Sequence, residues 1–287
     1  MYKHLALLGL LLCTTAQARV LTPHDLVMLD RISDPHVSPD GKVVAYDLRS
    51  TDYDANKGRH AIWIVCPRCR TGSERLLQND ATNPRWSPDG HALYFLSSRS
   101  GSMQIWRVGL DTGDKPVQVT RLPVDVGSFR VAPDGRTLVV SAAVFPDCAT
   151  LACTISRMDA RKADKATGTV YTKLFVRHWD EWADGTRNQL FAFALDRIGL
   201  AAGEAKPLMH GFDGDTPSKP FGDDADYAIS PDSKTVIFSA RQAGRSEPWS
   251  TNFDLFEVPL DGSASPKDLT AQNPAWDAAP NFSPDGK

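Results

Sequence analysis

A four-residue turn motif, Ser-Pro-Asp-Gly, returns along the 287-residue chain and restricts its possible folds more than any other feature. It stands at Ser38-Pro39-Asp40-Gly41, Ser87-Pro88-Asp89-Gly90 and Ser283-Pro284-Asp285-Gly286. Variants occur at Ala132-Pro133-Asp134-Gly135 and Ser230-Pro231-Asp232-Ser233. Proline presets φ at the second turn position, Asp tolerates the third, and Gly takes the left-handed position that closes a hairpin. A bulky residue precedes each copy (Val37, Trp86, Val131, Ile229, Phe282), and an apolar run follows each of the first four. Each of those four copies therefore reads as strand, tight turn, strand.

A third apolar segment follows in each unit and carries an aromatic residue at one register: Trp63, Trp106, Phe191 and Phe256. A second turn comes next, at Asp111-Thr112-Gly113 or Asp261-Gly262, with Cys66 and Cys69 in that place in the first unit. A fourth segment closes each unit: Glu74–Leu77, Pro116–Thr120, Lys206–Met209 and Pro266–Thr270. Four strands per unit at this spacing predict an all-β fold, a β-propeller of four-stranded blades. A two-sheet sandwich also alternates strands and turns, but it does not require four units with one strand order and one aromatic register.

The turn prolines stand at 39, 88, 133, 231 and 284, giving gaps of 49, 45, 98 and 53 residues. The long gap invites a hidden blade at Asp184-Gly185. Asp184 lies only seven residues before Phe191, however, whereas Asp89 lies seventeen before Trp106. Asp184-Gly185 is therefore placed inside one enlarged blade, ahead of its third strand. The surplus, around residues 144–172, is expected to project from the propeller rim. The repeat count gives four blades and the start of a fifth, an incomplete propeller over residues 34–287. A short helical lead-in over 19–33 precedes it, with Thr22 as N-cap and Pro23 at the first helical position.

The N-terminus reads as a secretory signal. Lys3 and His4 precede an apolar run from Leu5 to Leu12, and Ala16-Gln17-Ala18 offers cleavage after Ala18. The run is too short to span a bilayer, and Cys13 follows Leu12 where a lipoprotein signal wants a small residue. A periplasmic or secreted location is the expectation. A formal net charge of −3 argues against a nucleic-acid or anionic-membrane surface as the main function. Cys66, Cys69, Cys148 and Cys153 remain after cleavage, an even number whose close couples favour two local disulfides in an exported chain. Cys66-Pro67-Arg68-Cys69 reads as a turn staple. A redox motif would sit at a helix start, and half a zinc site would need two further ligands, so no metal or cofactor is expected.

Several stretches resemble the N-terminal half of the prolyl oligopeptidase family of serine peptidases, in its acylaminoacyl-peptidase and dipeptidyl-peptidase-5-like branch. Thr22-Pro23-His24-Asp25-Leu26, then Arg31-Ile32-Ser33-Asp34-Pro35, is similar to that branch's entry into its propeller. Pro146-Asp147-Cys148 with Cys153, followed by Leu174-Phe175-Val176-Arg177-His178-Trp179-Asp180, is similar to its enlarged blade. The resemblance implies an α/β-hydrolase domain beyond Lys287, bearing a Ser–Asp–His triad with the serine in a G-x-S-x-G elbow. No G-x-S-x-G occurs in these 287 residues, so no catalytic residue is assigned and the chain alone is expected to be inactive.

The resemblance further implies a propeller that gates access for short peptides and offers carboxylates to a substrate's free α-amine. Asp180 and Glu181, between Trp179 and Trp182, are the candidates, since carboxylates near aromatic faces suit an ammonium. The simpler reading packs Trp179 in the blade and leaves both acids at a strand end. The implied partners are a peptide substrate and the chain's own hydrolase domain. A non-catalytic TolB-type periplasmic propeller that binds proteins is the alternative.

Overall fold

The computed structural model describes residues 19–69, 74–111, 113–283 and 285–286. The expected signal peptide, residues 1–18, lies outside the described residues. Pro23–Met28 form a short helix, α1, opened by a capping box in which Thr22 and Asp25 satisfy each other's backbone N–H groups. Strand β1 (Arg31–Val37) follows directly and pairs with β2 (Val44–Asp52), which pairs with β3 (Lys57–Val65) and then β4 (Arg75–Asn79). The second sheet repeats this order with β5 (Thr82–Trp86), β6 (Ala92–Ser97), β7 (Gln104–Gly109) and β8 (Val117–Gln118). In the third, β9 (Ser128–Val131) and β10 (Thr137–Val144) are followed by a helix α2 (Leu151–Ala163) and a small hairpin, β11 (Arg177–His178) and β12 (Glu181–Trp182). The blade then resumes with β13 (Arg187–Leu195) and β14 (Ala201–Pro207). Strands β15 (Tyr227–Ile229), β16 (Thr235–Ala240), β17 (Asp254–Pro259) and β18 (Lys267–Asp268) make the fourth sheet. All pairs within the blades are antiparallel meanders. The expected incomplete all-β propeller with one enlarged blade is what the chain forms.

The turn motif sets the register. In every blade the aromatic residue of the third strand pairs with the residue seven places after the turn proline: Tyr46↔Trp63, Phe95↔Trp106, Val140↔Phe191 and Phe238↔Phe256. The first turn residue's carbonyl accepts from the fourth residue's N–H at 2.8–2.9 Å in all five copies. That fourth residue has positive φ throughout, from 58° at Ser233 to 76° at Gly286. The serine does more than open the turn. The hydroxyls of Ser38, Ser87 and Ser230 donate to the turn aspartate and accept from the N–H that begins the next strand, at 3.0 Å in each case. The turns also touch from blade to blade, Pro39 near Gly90, Pro88 near Gly135 and Pro231 near Gly286. They therefore mark one common end of the blades.

Three apolar cores lie between successive blades. Along β6, Leu93 and Phe95 face blade 1 while Tyr94 and Leu96 face blade 3. Along β10, Leu138, Val140 and Ala142 face blade 2 and Val139 faces blade 4. Middle strands covered on both faces explain why these segments read as continuous apolar runs. One segment differs from expectation: in blade 3 the fourth strand is β14, and Leu208 and Met209 lie beyond it as buried filling between blades 3 and 4. Their apolarity belongs to that core rather than to a strand face.

At the inner strands, polar side chains tie all four blades together. The Arg85 guanidinium on β5, 10% exposed, donates to Asp224 at 3.0 and 2.5 Å and to Asp34 of β1 at 2.7 Å. Arg130 of β9 donates to the Asp224 carbonyl at 2.7 Å, and Ser128 of β9 meets the Tyr227 hydroxyl of β15 at 3.0 Å. Burial works against charge on Arg85, yet the bonds to Asp224 and Asp34 outweigh it and raise its pKa. Burial likewise opposes charge on Asp34, but hydrogen bonds with His36 and from Arg85 prevail and hold its carboxyl below the usual range.

Arg85→Ala leaves Asp224 buried with weaker compensation, and urea unfolding should show a loss of about 3–5 kcal/mol. Asp34 binds its proton more readily in the unfolded chain, so its contribution is present above the ordinary carboxylate pKa of about 3.9. It is lost as pH falls through the depressed native value. A melting-temperature series from pH 6 to 3 should therefore fall less steeply for Asp34→Asn than for the unmodified protein.

Candidate functional site

The enlargement of blade 3 leaves Val144, which pairs with Arg187 at the end of the blade away from the turn motif. Its helix packs Leu151 and Ile155 against the core between blades 2 and 3. Helix α2 is capped by Thr150, and its Arg157 and Arg161 lie over the Phe145 ring at 4.6 and 4.7 Å. Arg161 also donates to the Asp184 carbonyl, which ties the two ends of the segment together. A bond between Cys148 and Cys153, with Cα atoms 5.5 Å apart, closes the turn that enters α2. Cys66 and Cys69 are likewise joined across the turn after β3, with Cα atoms 5.3 Å apart.

Asp180 and Glu181 lie on the β11–β12 hairpin, where His178 pairs with Glu181 and Arg177 with Trp182. Trp179 makes the tight turn with φ of 51°. It is 69% exposed and rests edge-on against Phe221, 4.9 Å away in the segment leading into blade 4. Packing of Trp179 inside the blade is therefore corrected, because the hairpin stands outside the sheet and the exposed indole has ring contacts with Phe221 and His178. Trp182, 63% exposed, stacks on Tyr171, and the Arg177 guanidinium lies over its ring at 5.4 Å. Both carboxylates are exposed, and among the described residues neither side chain makes a hydrogen bond or ion pair. The result is two unengaged acids between two exposed indoles, which is chemistry that suits a cationic group.

Beneath the hairpin lies a charge cluster that the sequence reading did not single out. Arg187, the first residue of β13, donates to Asp213 at 3.0 Å, Asp215 at 2.8 Å and both oxygens of Glu247 at 2.8 and 2.7 Å. Lys173 of the insertion reaches Asp213 at 3.4 Å, Lys219 reaches Asp215 at 3.8 Å, and Arg241 reaches Glu247 at 3.7 Å. Burial disfavours the Arg187 charge, but the bonds to Glu247 and the charges of Asp215 and Glu247 more than compensate and raise its pKa. Asp215 is raised, since its burial outweighs the cations around it. Asp213 is also burdened by burial, yet Arg187 draws it below the ordinary value. The only sequence signal for this cluster is the density of acids between Asp213 and Asp226.

Among the described residues no group of three or more His, Cys, Asp or Glu side chains is placed to hold a metal ion. None of their helices is long and apolar enough to cross a membrane.

No family model matches the chain. It is 32% identical over 279 residues to dipeptidyl-peptidase 5 of Porphyromonas endodontalis, an alignment covering 95% of this chain and 38% of that protein. The protein of the same name from Porphyromonas gingivalis is 28% identical over 279 residues, covering 93% and 38%. The likeness is to a peptidase-associated propeller. Among solved structures, acylaminoacyl peptidase of Pyrococcus horikoshii superposes with a TM-score of 0.55 at 17% identity, over 85% of this chain and 33% of that one. TolB of Acinetobacter baumannii gives 0.51 at 20% identity, over 90% and 47%. These two likenesses speak for the fold alone. The resemblance read from the entry segment and the enlarged blade is borne out by the named relatives, of whose length the chain spans about 38%.

The Arg187 cluster yields its own prediction. Arg187→Met strands Asp215 and Glu247 without their shared cation and should cost about 3–5 kcal/mol in chemical unfolding. Arg187→Lys keeps the charge but not the planar fork, so it should recover only part of that loss.

Proposed function

We propose that the chain is the substrate-gating propeller part of an exported serine peptidase of the prolyl oligopeptidase type, which hydrolyses short peptides. One observation carries this reading: the dipeptidyl-peptidase 5 relative matches 95% of the chain while the chain accounts for 38% of the relative. The chemistry would then rest with a Ser–Asp–His triad in a hydrolase domain outside these 287 residues, because the sequence holds no G-x-S-x-G. Within the propeller, Asp180 and Glu181 anchor the substrate's free α-amine. Their exposure, their lack of other partners and the flanking Trp179 and Trp182 support that role. Export follows from cleavage after Ala18, and N-terminal sequencing of the mature protein should begin at Arg19.

The second reading is a non-catalytic propeller that binds protein partners, a fold the chain shares with TolB. Reading the gene beyond Lys287 separates the two. A G-x-S-x-G elbow followed by Asp and then His supports the peptidase, and further propeller turns followed by a stop support the binding module. The purified 287-residue chain should resist labelling by a fluorophosphonate probe. In the full-length protein, Asp180→Ala and Glu181→Ala should each raise KM for a free-amine dipeptide substrate by roughly tenfold with kcat little changed, as loss of uniform binding requires. An unaltered KM in both variants rules out the anchoring role.

A further inference from the structure

A groove of about 450 Å3 lies where α1 meets the far ends of β1, β2 and β3. Its lining is cationic in a chain whose formal net charge is −3. Arg31 of β1 and Arg49 of β2 are direct partners in the antiparallel register, so their side chains share one face. Like charges placed directly opposite destabilise a strand pair. Among the described residues neither guanidinium has a carboxylate partner. Two acids of β2 are already engaged: Asp47 with His60 at 3.0 Å, and Asp52 with Arg59 at 3.0 and 2.5 Å. Lys57, in register with Asp52, adds a third cation to the lining.

Two further details set this cationic surface apart from the rest of blade 1. Thr51 stands two residues beyond Arg49 on the same face, and its Oγ1 is buried without any hydrogen-bond partner while lining the groove. A buried hydroxyl left unpaired costs stability unless something supplies the partner. Gly58 pairs with Thr51, and a Cβ there would lie 2.6 Å from Nε of Arg49 and 2.7 Å from Nη2. Only glycine lets the Arg49 guanidinium rest across the backbone at that point.

We propose that this groove binds the carboxylate of an acidic peptide segment. A guanidinium fork receives a carboxylate through two parallel hydrogen bonds. Arg31 and Arg49 present two such forks on one face. Val27 of α1 adds an apolar wall. The inference stands apart from the amine-anchoring role of Asp180 and Glu181, since it concerns blade 1 and the opposite charge.

Isothermal titration of the 287-residue chain with the peptide acetyl-Ala-Ala-Glu-Ala-Ala-amide tests it, with the Gln peptide and inorganic phosphate as comparisons. The Glu peptide should bind saturably, the Gln peptide at least tenfold more weakly, and phosphate more weakly than the Glu peptide. Arg31→Gln and Arg49→Gln should each reduce Glu-peptide affinity at least tenfold. Gly58→Val should do the same by displacing the flexible tip of Arg49 while suiting the strand. In anion-poor buffer Arg31→Gln should leave the melting temperature unchanged or higher, because it removes a like-charge pair. No heat with the Glu peptide at millimolar concentration, equal binding of the Glu and Gln peptides, phosphate matching the Glu peptide, or a fall in melting temperature for Arg31→Gln would each overturn the proposal.

Discussion

The buried guanidinium of Arg85 is the contact on which the arrangement of blades most depends. Each blade is a meander that satisfies its own interior backbone groups, so nothing in one blade's ladder dictates where the next must stand. The apolar cores between blades favour contact but are nearly indifferent to small rotations, because burial is not directional. Arg85 is directional. Its planar fork fixes Asp34 of blade 1 and Asp224 at the entry to blade 4 relative to β5, and Arg130 holds the same segment from blade 3. A charge this deeply buried is tolerated only when its partners are in place, which couples the pitch of the propeller to one side chain.

The same logic recurs at the far end of blade 3. Arg187 gathers Asp213, Asp215 and Glu247 from the loop before blade 4 and from blade 4 itself, and Lys173 brings the insertion onto the cluster. The hairpin carrying Asp180 and Glu181 is therefore displayed from a base held by ionic bonds rather than from the sheet. Its tryptophans are free to face solvent because the blade's core is already filled by Phe191, Leu208 and Met209.

Most of the architecture was legible from local chemistry. The turn motif specifies a hairpin wherever it occurs, and because the side-chain alternation of a strand has a period of two, a fixed count from turn to aromatic residue sets the register of the whole blade. Reading Asp184-Gly185 as internal to one blade followed from the same count, and the sheet order β9, β10, β13, β14 agrees with it. Misreadings fell where a residue's partner is distant in the chain. Leu208 and Met209 have the look of a strand, yet they serve the neighbouring blade. Trp179 looks like core, yet among the described residues the small hairpin that carries it stands outside the blade and leaves the indole 69% exposed.

By itself the sequence determined the repeating unit, its four strands, the position of the insertion and the likeness to a peptidase propeller, because each rests on contacts between residues close in the chain. Only the tertiary structure decided which charges meet. Arg85 and Asp224 are 139 residues apart and Arg187 and Glu247 are 60 apart, and no local pattern marks either pair. The face shared by Arg31 and Arg49 likewise emerges only when β1 and β2 are laid in register, since neither arginine is unusual until the other stands opposite it.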